Sequence, residues 1–452
     1  MRIKIAFVGG VILVLLGVGL WFSKHQNHSS NEWSVGYWIW GEWSGDDYQR
    51  SAPNPPVDLI AFDMGELGQP TYGARRTENP SFYRFRSIEP ANLPAARRYA
   101  AVVRINIAPF SKPDAVTPVL KRYKRLQYRF QESHRTFNEI QIDFDCPTAS
   151  LSQYADWLKQ WRRQLPNGTR LTITALLDWF NPGTDIGKVL SNVDSFIPQF
   201  YDVDTEDYRK MPKIAHPPDH LRWGRLFEQF KVPYQIGLSS FGRVQFAEKT
   251  WYFSHETPLN LLSQLSGEPH VYVNSSGERV FEMNLRKEFG YDQLNPDSPA
   301  KSIMIQPTGE SILHGFQEAR SMGPHCAGVL FFRWPSSTES LALKPNEITD
   351  ILSGKAPDDK YSLESLDAEC ALVDCRDLSL VQTNRFPNHA RTIAIESSVP
   401  LEYFLPDRIL KPSMINAREV QFQIPPYNAA AKIYLGRAVS KQSANYTLRV
   451  IP

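Results

Sequence analysis

The heptapeptide Glu139-Ile-Gln-Ile-Asp-Phe-Asp145 alternates polar and apolar side chains with a period of two. Such alternation is typical of a β-strand, in which residues two apart point to the same side. The apolar side chains between Ile140 and Phe144 suit a side covered by helices. Asp143 and Asp145 share the opposite side, so the stretch predicts a strand that carries two carboxylates inward.

Further runs of apolar, β-branched and aromatic residues lie on both sides of this strand, at 35–40, 57–63, 101–107, 170–177, 195–201, 234–239 and 327–334. Several are separated by helical patterns, as at 118–130, 151–165 and 309–322. Eight strands alternating with helices predict an α/β fold, a (β/α)8 TIM-like barrel over residues 33–343. A doubly wound sheet is the alternative, but its early Gly-rich phosphate loop is absent from the sequence.

The predicted barrel is interrupted by one long insertion and followed by a different pattern. Residues 241–300, between the seventh and eighth strands, are predicted to be an insertion on the side where barrels carry their sites. Residues 344–375 are polar with Pro and Gly and predict a linker, and residues 376–452 predict a small sandwich-like all-β domain. The close spacing of Cys370 and Cys375 allows a small-loop disulfide in an oxidising compartment.

The N-terminal segment 1–24 is predicted to anchor the chain in a membrane. Ile5 to Phe22 is an uncharged run of 18 residues, which as a helix spans about 27 Å. Arg2 and Lys4 precede it and favour a cytoplasmic N-terminus. A cleaved signal peptide is the alternative, but such apolar regions are usually shorter and end at a small-residue cleavage site.

Composition excludes several classes of function. Lys plus Arg number 50 against 48 Asp plus Glu, so the net charge of +2 predicts no nucleic-acid partner. Apolar residues make up 42% of the chain, as in ordinary globular proteins. Four cysteines without a CxxC motif and ten histidines without HxH or HExxH predict no metal site, and no cofactor is predicted.

Active sites of such barrels lie at the C-terminal ends of the strands. Carboxylates and aromatic residues stand at several predicted strand ends, with Glu66 just beyond the second. We predict three catalytic residues there, Asp145, Asp143 and Asp202. We predict six substrate-binding residues, Gln199, Tyr201, Trp334, Trp40, Asp63 and Asp178.

Asp143 is predicted to lie deeper than Asp145, which stands at the mouth. A buried carboxylate is costly unless it is paired, and Arg104 and Asn106 on the third strand could serve Asp143. Close carboxylates push their pKa values apart, which would provide one acid and one base. The alternative interpretation is a structural Arg104–Asp143 pair with Asp145 merely exposed.

Four segments, 141–148, 171–176, 198–201 and 328–333, resemble the bacterial family called domain of unknown function 3142. The resemblance implies an exported bacterial protein whose barrel is similar to glycoside hydrolases, and it supplies no reaction. Together with the apolar run, it implies a single-pass protein of the inner membrane, held through residues 5–22, with its bulk in the periplasm. The alternative is a secreted periplasmic protein.

A more distant likeness is to glycoside hydrolase family 18, whose fourth strand reads DGxDxDxE. Asp143 and Asp145 match the second and third aspartates of that motif, whereas Ile140 replaces the first and Pro147 replaces the catalytic glutamate. The missing glutamate puts that family's mechanism in doubt. Three residues resemble its sixth-strand motif and one its eighth-strand tryptophan, namely Gln199, Tyr201, Asp202 and Trp334.

We therefore predict a membrane-anchored, glycoside-hydrolase-like barrel that acts on or binds an envelope or extracellular polysaccharide. Glycosidases generally use two carboxylates. Asp145 is our choice for one, and Asp202, Asp178 or Glu66 for the other. A non-catalytic glycan-binding or envelope scaffold protein is the alternative, favoured by Pro147, and a metal-assisted hydrolase or deacetylase using the two aspartates is a third.

Overall fold

The computed structural model describes residues 33–40, 48–49, 51–68, 81–83, 87–106, 110, 115–200, 220–246, 249–252, 270–274, 277–284, 301–335, 342–355, 361–370, 374–382, 391–407, 410–424 and 432–451. The proposed anchor at 5–22 lies outside these ranges, as do Tyr201 and Asp202. Within the ranges, no helix is both long enough and apolar enough to cross a bilayer.

The first part of the chain contains fourteen described strands and five described helices. The strands are β1 (Ser34–Ile39), β2 (Val57–Gly68), β3 (Ser81–Tyr83), β4 (Ala96–Ile105), β5 (Phe137–Phe144), β6 (Arg170–Ala175), β7 (Ser195–Pro198), β8 (Tyr234–Ser239), β9 (Arg243–Phe246), β10 (Lys249–Tyr252), β11 (His270–Val273), β12 (Arg279–Asn284), β13 (Lys301–Gln306) and β14 (Cys326–Phe332). The helices are α1 (Val116–Glu132), α2 (Leu151–Gln164), α3 (Ile186–Leu190), α4 (His220–Glu228) and α5 (Gly309–Arg320).

Eight of these strands are parallel and close into a barrel, which confirms the predicted fold. They follow the order β1-β14-β8-β7-β6-β5-β4-β2, and β2 pairs back onto β1. Each of the eight predicted runs overlaps one of them, although β2 and β4 extend several residues beyond the predicted ranges. The short β3 adds to β2 in antiparallel fashion and lengthens that wall beyond the pairing with β1.

The side chains of β5 alternate between the barrel interior and the helix-covered outside, as predicted. Ile140, Ile142 and Phe144 are buried, and the Phe144 ring packs edge-on against Tyr154 of α2. The barrel interior holds a cluster of mostly small and branched residues, Trp38, Leu59, Ala61, Ala100, Val102, Ile197 and Leu330. Alternate residues of β5 point into this interior, so a polar residue there must find a polar partner.

The segment between β8 and β14 forms a separate five-stranded antiparallel sheet, in the order β10-β9-β13-β12-β11. The predicted insertion at 241–300 lies in this segment, and the sheet extends it to Gln306.

The C-terminal part forms two four-stranded sheets, β15-β16-β21-β18 and β19-β20-β17-β22. The strands are β15 (Tyr361–Asp367), β16 (Asp374–Gln382), β17 (Arg391–Ser397), β18 (Leu401–Pro406), β19 (Pro412–Ile415), β20 (Glu419–Ile424), β21 (Lys432–Ser440) and β22 (Tyr446–Ile451). Apolar residues from both sheets share one buried core, which includes Leu378, Ile393, Val420 and Leu435. The predicted disulfide between Cys370 and Cys375 is present.

The segment predicted to be a linker, 344–375, differs from that prediction. Its first part is a helix, α6 (Pro345–Leu352), whose Ile348 and Ile351 are buried and whose start is fixed by Pro345. Its second part contains β15, which pairs with β16 along its whole length. Both elements are short and rich in polar residues. Each has apolar residues on one side only, and the polar, Pro- and Gly-containing sequence around them made this pattern hard to recognise.

Candidate active site

The carboxylate of Asp143 lies inside the barrel at the C-terminal end of β5 and is almost completely buried. Arg104 Nη1 donates to Oδ2 at 2.7 Å, and Thr174 Oγ1 donates to Oδ1 at 2.8 Å. Gln199 Nε2 also approaches Oδ1, at 3.4 Å. The neighbouring strands β4 and β6 and the residue after β7 therefore supply donors to one carboxylate, which satisfies the charge that burial would otherwise penalise.

Arg104 joins Asp143 to Asp145, which confirms the predicted Arg104–Asp143 pair and adds a second contact. Arg104 Nη2 donates to Asp145 Oδ2 at 2.5 Å. The side chain of Asp145 is 46% exposed, whereas that of Asp143 is 7% exposed. Asp145 is thus the carboxylate that water or a ligand reaches, and Asp143 holds the arginine beneath it.

The two carboxylates and the arginine shift one another's ionisation. Burial raises the pKa of Asp145 above its ordinary value, the Arg104 charge lowers it, and the Asp143 charge raises it again, with a net upward shift. Burial alone would lower the pKa of Arg104, but the two carboxylates outweigh it and raise that pKa. The arginine therefore stays charged, while Asp145 retains a proton at higher pH than an ordinary aspartate.

Below this layer the barrel interior continues to be polar along β5. Trp38 Nε1, on the opposite side of the barrel, donates to Gln141 Oε1 at 2.6 Å. Deeper still, Glu139 accepts hydrogen bonds from Arg98 Nη1 at 2.6 Å and from Thr172 Oγ1 at 3.1 Å. These layers fill the interior, so a ligand would meet the barrel at its mouth.

Aromatic rings occupy the side of the mouth formed by β1 and β14. Trp40 and Phe332 are half-buried, and their ring centroids are 6.2 Å apart. Phe332 also packs against Trp38 and Phe241, at 6.0 and 5.6 Å. Phe332 was not among the predicted site residues, although it lies two residues after the inward-pointing Leu330, which predicts the same direction.

Trp334, one of the predicted substrate-binding residues, presents no exposed surface to the mouth. Its side chain is fully buried, its indole N–H donates to Ser51 Oγ at 2.9 Å, and it packs edge-on against Tyr37 and Tyr48. The strand β14 ends at Phe332, so strand alternation no longer governs the direction of Trp334. The aromatic floor of the mouth is therefore Phe332 with Trp40.

The other predicted residues are more scattered. Asp63 is buried and accepts the backbone N–H of Gly65 at 2.9 Å, within the irregular part of β2. Asp178 is exposed and accepts a hydrogen bond from Thr148, in the loop after β5. Gln199 belongs to the Asp143 cluster. The structure thus brings Asp143, Asp145 and Gln199 together with Arg104, whereas Asp63 contacts Gly65 and Asp178 contacts Thr148.

A further carboxylate, Glu66, stands in register with this cluster. Glu66 of β2 is the pairing partner of Arg104 in β4, and Arg104 is the pairing partner of Asp143 in β5. With strands about 4.8 Å apart, the backbones of Glu66 and Asp143 are separated by about 10 Å. Partners in a parallel pair point to the same side, so Glu66 faces the mouth beside Arg104.

The reactive side chains that the structure describes at the mouth are carboxylates. Among the residues that the structure describes, no group of three or more His, Cys, Asp or Glu side chains could hold a metal ion. Cys146 follows Asp145, but burial raises the pKa of its thiol to about 12, with a smaller contribution from Asp178. The thiol therefore stays protonated at neutral pH and is a poor nucleophile.

Comparison with solved structures found similar chains at low sequence identity. The spore cortex-lytic enzyme SleL of Bacillus cereus is 13% identical, with a TM-score of 0.45 over 72% of this chain and 74% of the other. A chitinase of Bacillus thuringiensis is 9% identical, with a TM-score of 0.42 over 92% and 100%. The Group IV chitinase of Ostrinia furnacalis is 11% identical, with a TM-score of 0.44 over 71% and 100%.

Among curated proteins, none matches the chain. A family match covers residues 95–337, from the start of β4 to just beyond β14, and includes all four segments on which the resemblance was based. The matched region is more than half of the sequence and contains Arg104, Asp143 and Asp145. The chain therefore belongs to the family described as Domain of unknown function (DUF3142).

Proposed function

We propose that the mouth of this barrel binds a carbohydrate chain and hydrolyses a glycosidic bond. The observation that carries the proposal is the half-exposed Asp145, held by Arg104 above the buried Asp143 at the end where barrels carry their sites. Trp40 and Phe332 offer an apolar surface on the other side of the same mouth. Sugar-binding sites need both polar groups that hold hydroxyls and apolar faces that cover the ring.

Asp145 and Glu66 are our candidates for the two carboxylates. Glycosidases place their carboxyl groups about 5–5.5 Å apart for retention of configuration and about 6.5–9.5 Å apart for inversion. Glu66 is the partner of Arg104 across β2 and β4, so Arg104 lies between it and β5. In this proposal, the raised pKa of Asp145 suits the general acid and Glu66 acts as the base.

Binding without hydrolysis is the second candidate. Pro147 occupies the position where the resemblance to glycoside hydrolase family 18 expects an acid. Asp145 is also engaged by Arg104, which reduces its availability for proton transfer. A chain that keeps the barrel and the aromatic floor but has lost turnover would show these two features.

The experiment is a hydrolysis screen with the full chain on envelope and capsular polysaccharides, followed by Asp145→Asn and Glu66→Gln on any substrate that is cleaved. Asp350→Asn, an exposed carboxylate on α6, is the matched control. The proposal expects turnover that falls in both variants and persists in the control. Retention of a polysaccharide without turnover in the wild-type chain would favour the second candidate.

The cellular location of the chain is part of the proposal as well. We propose that residues 5–22 hold the chain in the inner membrane with the barrel on the periplasmic side. The support is the apolar run that follows Arg2 and Lys4, together with the Cys370–Cys375 disulfide, since such bonds persist in oxidising compartments.

A further inference from the structure

The sheet β15-β16-β21-β18 carries an unusual set of exposed side chains on the face that points away from the sandwich core. Leu378, Phe404, Leu435 and Ala438 belong to the core, so Asp377, Tyr403, Leu405, Tyr434 and Arg437 beside them in the strands point outward. Leu366 pairs with Asp377 and points to the same side. Four of the outward residues are large, apolar or aromatic, and 41–54% exposed. We call this surface the tyrosine face; its members are Leu366, Asp377, Tyr403, Leu405, Tyr434 and Arg437.

Strand register arranges the tyrosine face as a line. Asp377, Arg437 and Leu405 are successive pairing partners across β16, β21 and β18. Tyr434 lies three residues before Arg437 in β21, and Tyr403 pairs with Val439, two residues after it. Because β21 has a bulge at Leu435, the two tyrosines are four ladder positions apart along the strand direction, about 13 Å, with the polar pair between them.

The centre of the face is an ion pair between Arg437 and Asp377. Arg437 donates from Nε and Nη2 to the two oxygens of Asp377, at 2.8 and 2.9 Å. Tyr434 Oη donates to the same carboxylate at 2.9 Å. The charges of Arg437 and Asp377 cancel, so the centre of the face suits a neutral ligand better than a charged one.

A polar centre between aromatic ends is the reverse of an ordinary protein interface. Protein interfaces have an apolar core and a polar rim, because the centre is the most completely dehydrated part. Here the hydrogen-bonding groups are central, and the exposed rings of Tyr403 and Tyr434 stand at the ends. That order suits an extended chain whose hydroxyls meet Asp377 and Arg437 while its apolar ring faces cover the tyrosines.

We propose that the tyrosine face is a second binding site for a neutral polysaccharide chain, separate from the barrel mouth. The inference rests on the proposed function for the class of ligand only, and it requires no turnover in the barrel. Two sites for one polymer in a single chain raise the local concentration of substrate at the mouth.

The test measures retention of the full chain on insoluble chitin, cellulose and xylan. Two double variants separate the sites: Trp40→Ala with Asp145→Asn at the mouth, and Tyr403→Ala with Tyr434→Ala on the tyrosine face. Tyr128→Ala, an exposed tyrosine of α1, is the matched control. We expect the mouth variant to be retained by at least one polymer, and the tyrosine variant to bind that polymer at least about tenfold more weakly at unchanged melting temperature.

Equal retention of the tyrosine variant and the control overturns the proposal, and so does absence of retention of the mouth variant on all three polymers. Analytical sedimentation of the same proteins tests whether a second copy of the chain covers the face. A dimer that the tyrosine variant dissociates, with retention unchanged, would identify the face as a contact between two copies and overturn the glycan site. Loss of turnover in the mouth variant bears on the proposed function alone.

Discussion

Arg104 and Asp145 are joined by a hydrogen bond of 2.5 Å, although the carboxylate is nearly half exposed. Exposed ion pairs usually contribute little, because both side chains lose conformational freedom and water screens them. Here the arginine is already fixed from below by Asp143. Asp145 therefore meets a pre-oriented partner, and its ionisation depends on two buried or half-buried neighbours.

That dependence predicts opposite pKa shifts in two variants. Replacing Arg104 by Met removes a charge that lowers the pKa of Asp145, so this pKa is expected to rise further. Asp143→Asn removes a charge that raises it, so the pKa of Asp145 is expected to fall. Carboxyl-detected NMR titration measures both, and shifts of the same sign would contradict the arrangement.

The pH dependence of stability follows from the same group. The pKa of Asp145 is raised in the folded chain, so folding takes up a proton between its unfolded and folded pKa values. This contribution to stability is present at acid pH and is lost as the pH rises through the folded pKa. Urea unfolding across that range should therefore show that Asp145→Asn becomes less unfavourable, relative to wild type, towards neutral pH.

Asp143→Ala is expected to lower the free energy of unfolding by about 3 kcal/mol. It leaves Thr174 and one side of Arg104 without their buried acceptor, and breaking a buried pair typically costs about 3–5 kcal/mol. The remaining contact of Arg104 with Asp145 keeps the loss at the lower end. Chemical denaturation measures it, and an unchanged midpoint would show that the pair contributes nothing.

Asp145→Asn should change stability by less than about 1 kcal/mol, since the side chain is nearly half exposed and lies at the barrel mouth. If the proposed hydrolysis takes place, turnover should fall by about 10²–10⁴-fold, as for loss of a general acid or base. Asp350→Asn controls for the loss of an exposed charge. Turnover that survives in Asp145→Asn would refute the catalytic assignment.

Two tryptophans are expected to respond differently to truncation. Trp334→Ala empties a fully buried site and should cost about 3–5 kcal/mol of unfolding free energy. Trp40→Ala removes a half-buried ring at the mouth and should weaken carbohydrate retention with a smaller loss of stability. Melting curves and polymer retention compare the two variants. A loss of carbohydrate retention in Trp334→Ala but not in Trp40→Ala would contradict the assignment of Trp40 to the binding surface.

Alternation of side chains predicted the barrel because burial imposes a simple period on every strand. The inward direction of Asp143 and its pairing with Arg104 followed from that parity alone. Trp334 shows where the rule ends: beyond Phe332 the backbone leaves the strand, and the distant Ser51 and Tyr48 determine the side chain's direction. Glu66 could be ranked above the other carboxylates only once the register with Arg104 was known.

The hydrogen bond from Trp38 to Gln141 closes the barrel beneath the mouth. Its consequence is that the barrel layers from Asp143 downwards contribute to folding, whereas the loops above those layers are free to vary with the ligand. Loop exchange above those layers should therefore alter what is bound while leaving the unfolding transition in place. For protein engineers, the barrel layers beneath the mouth offer a scaffold on which new loops can be placed at the strand ends.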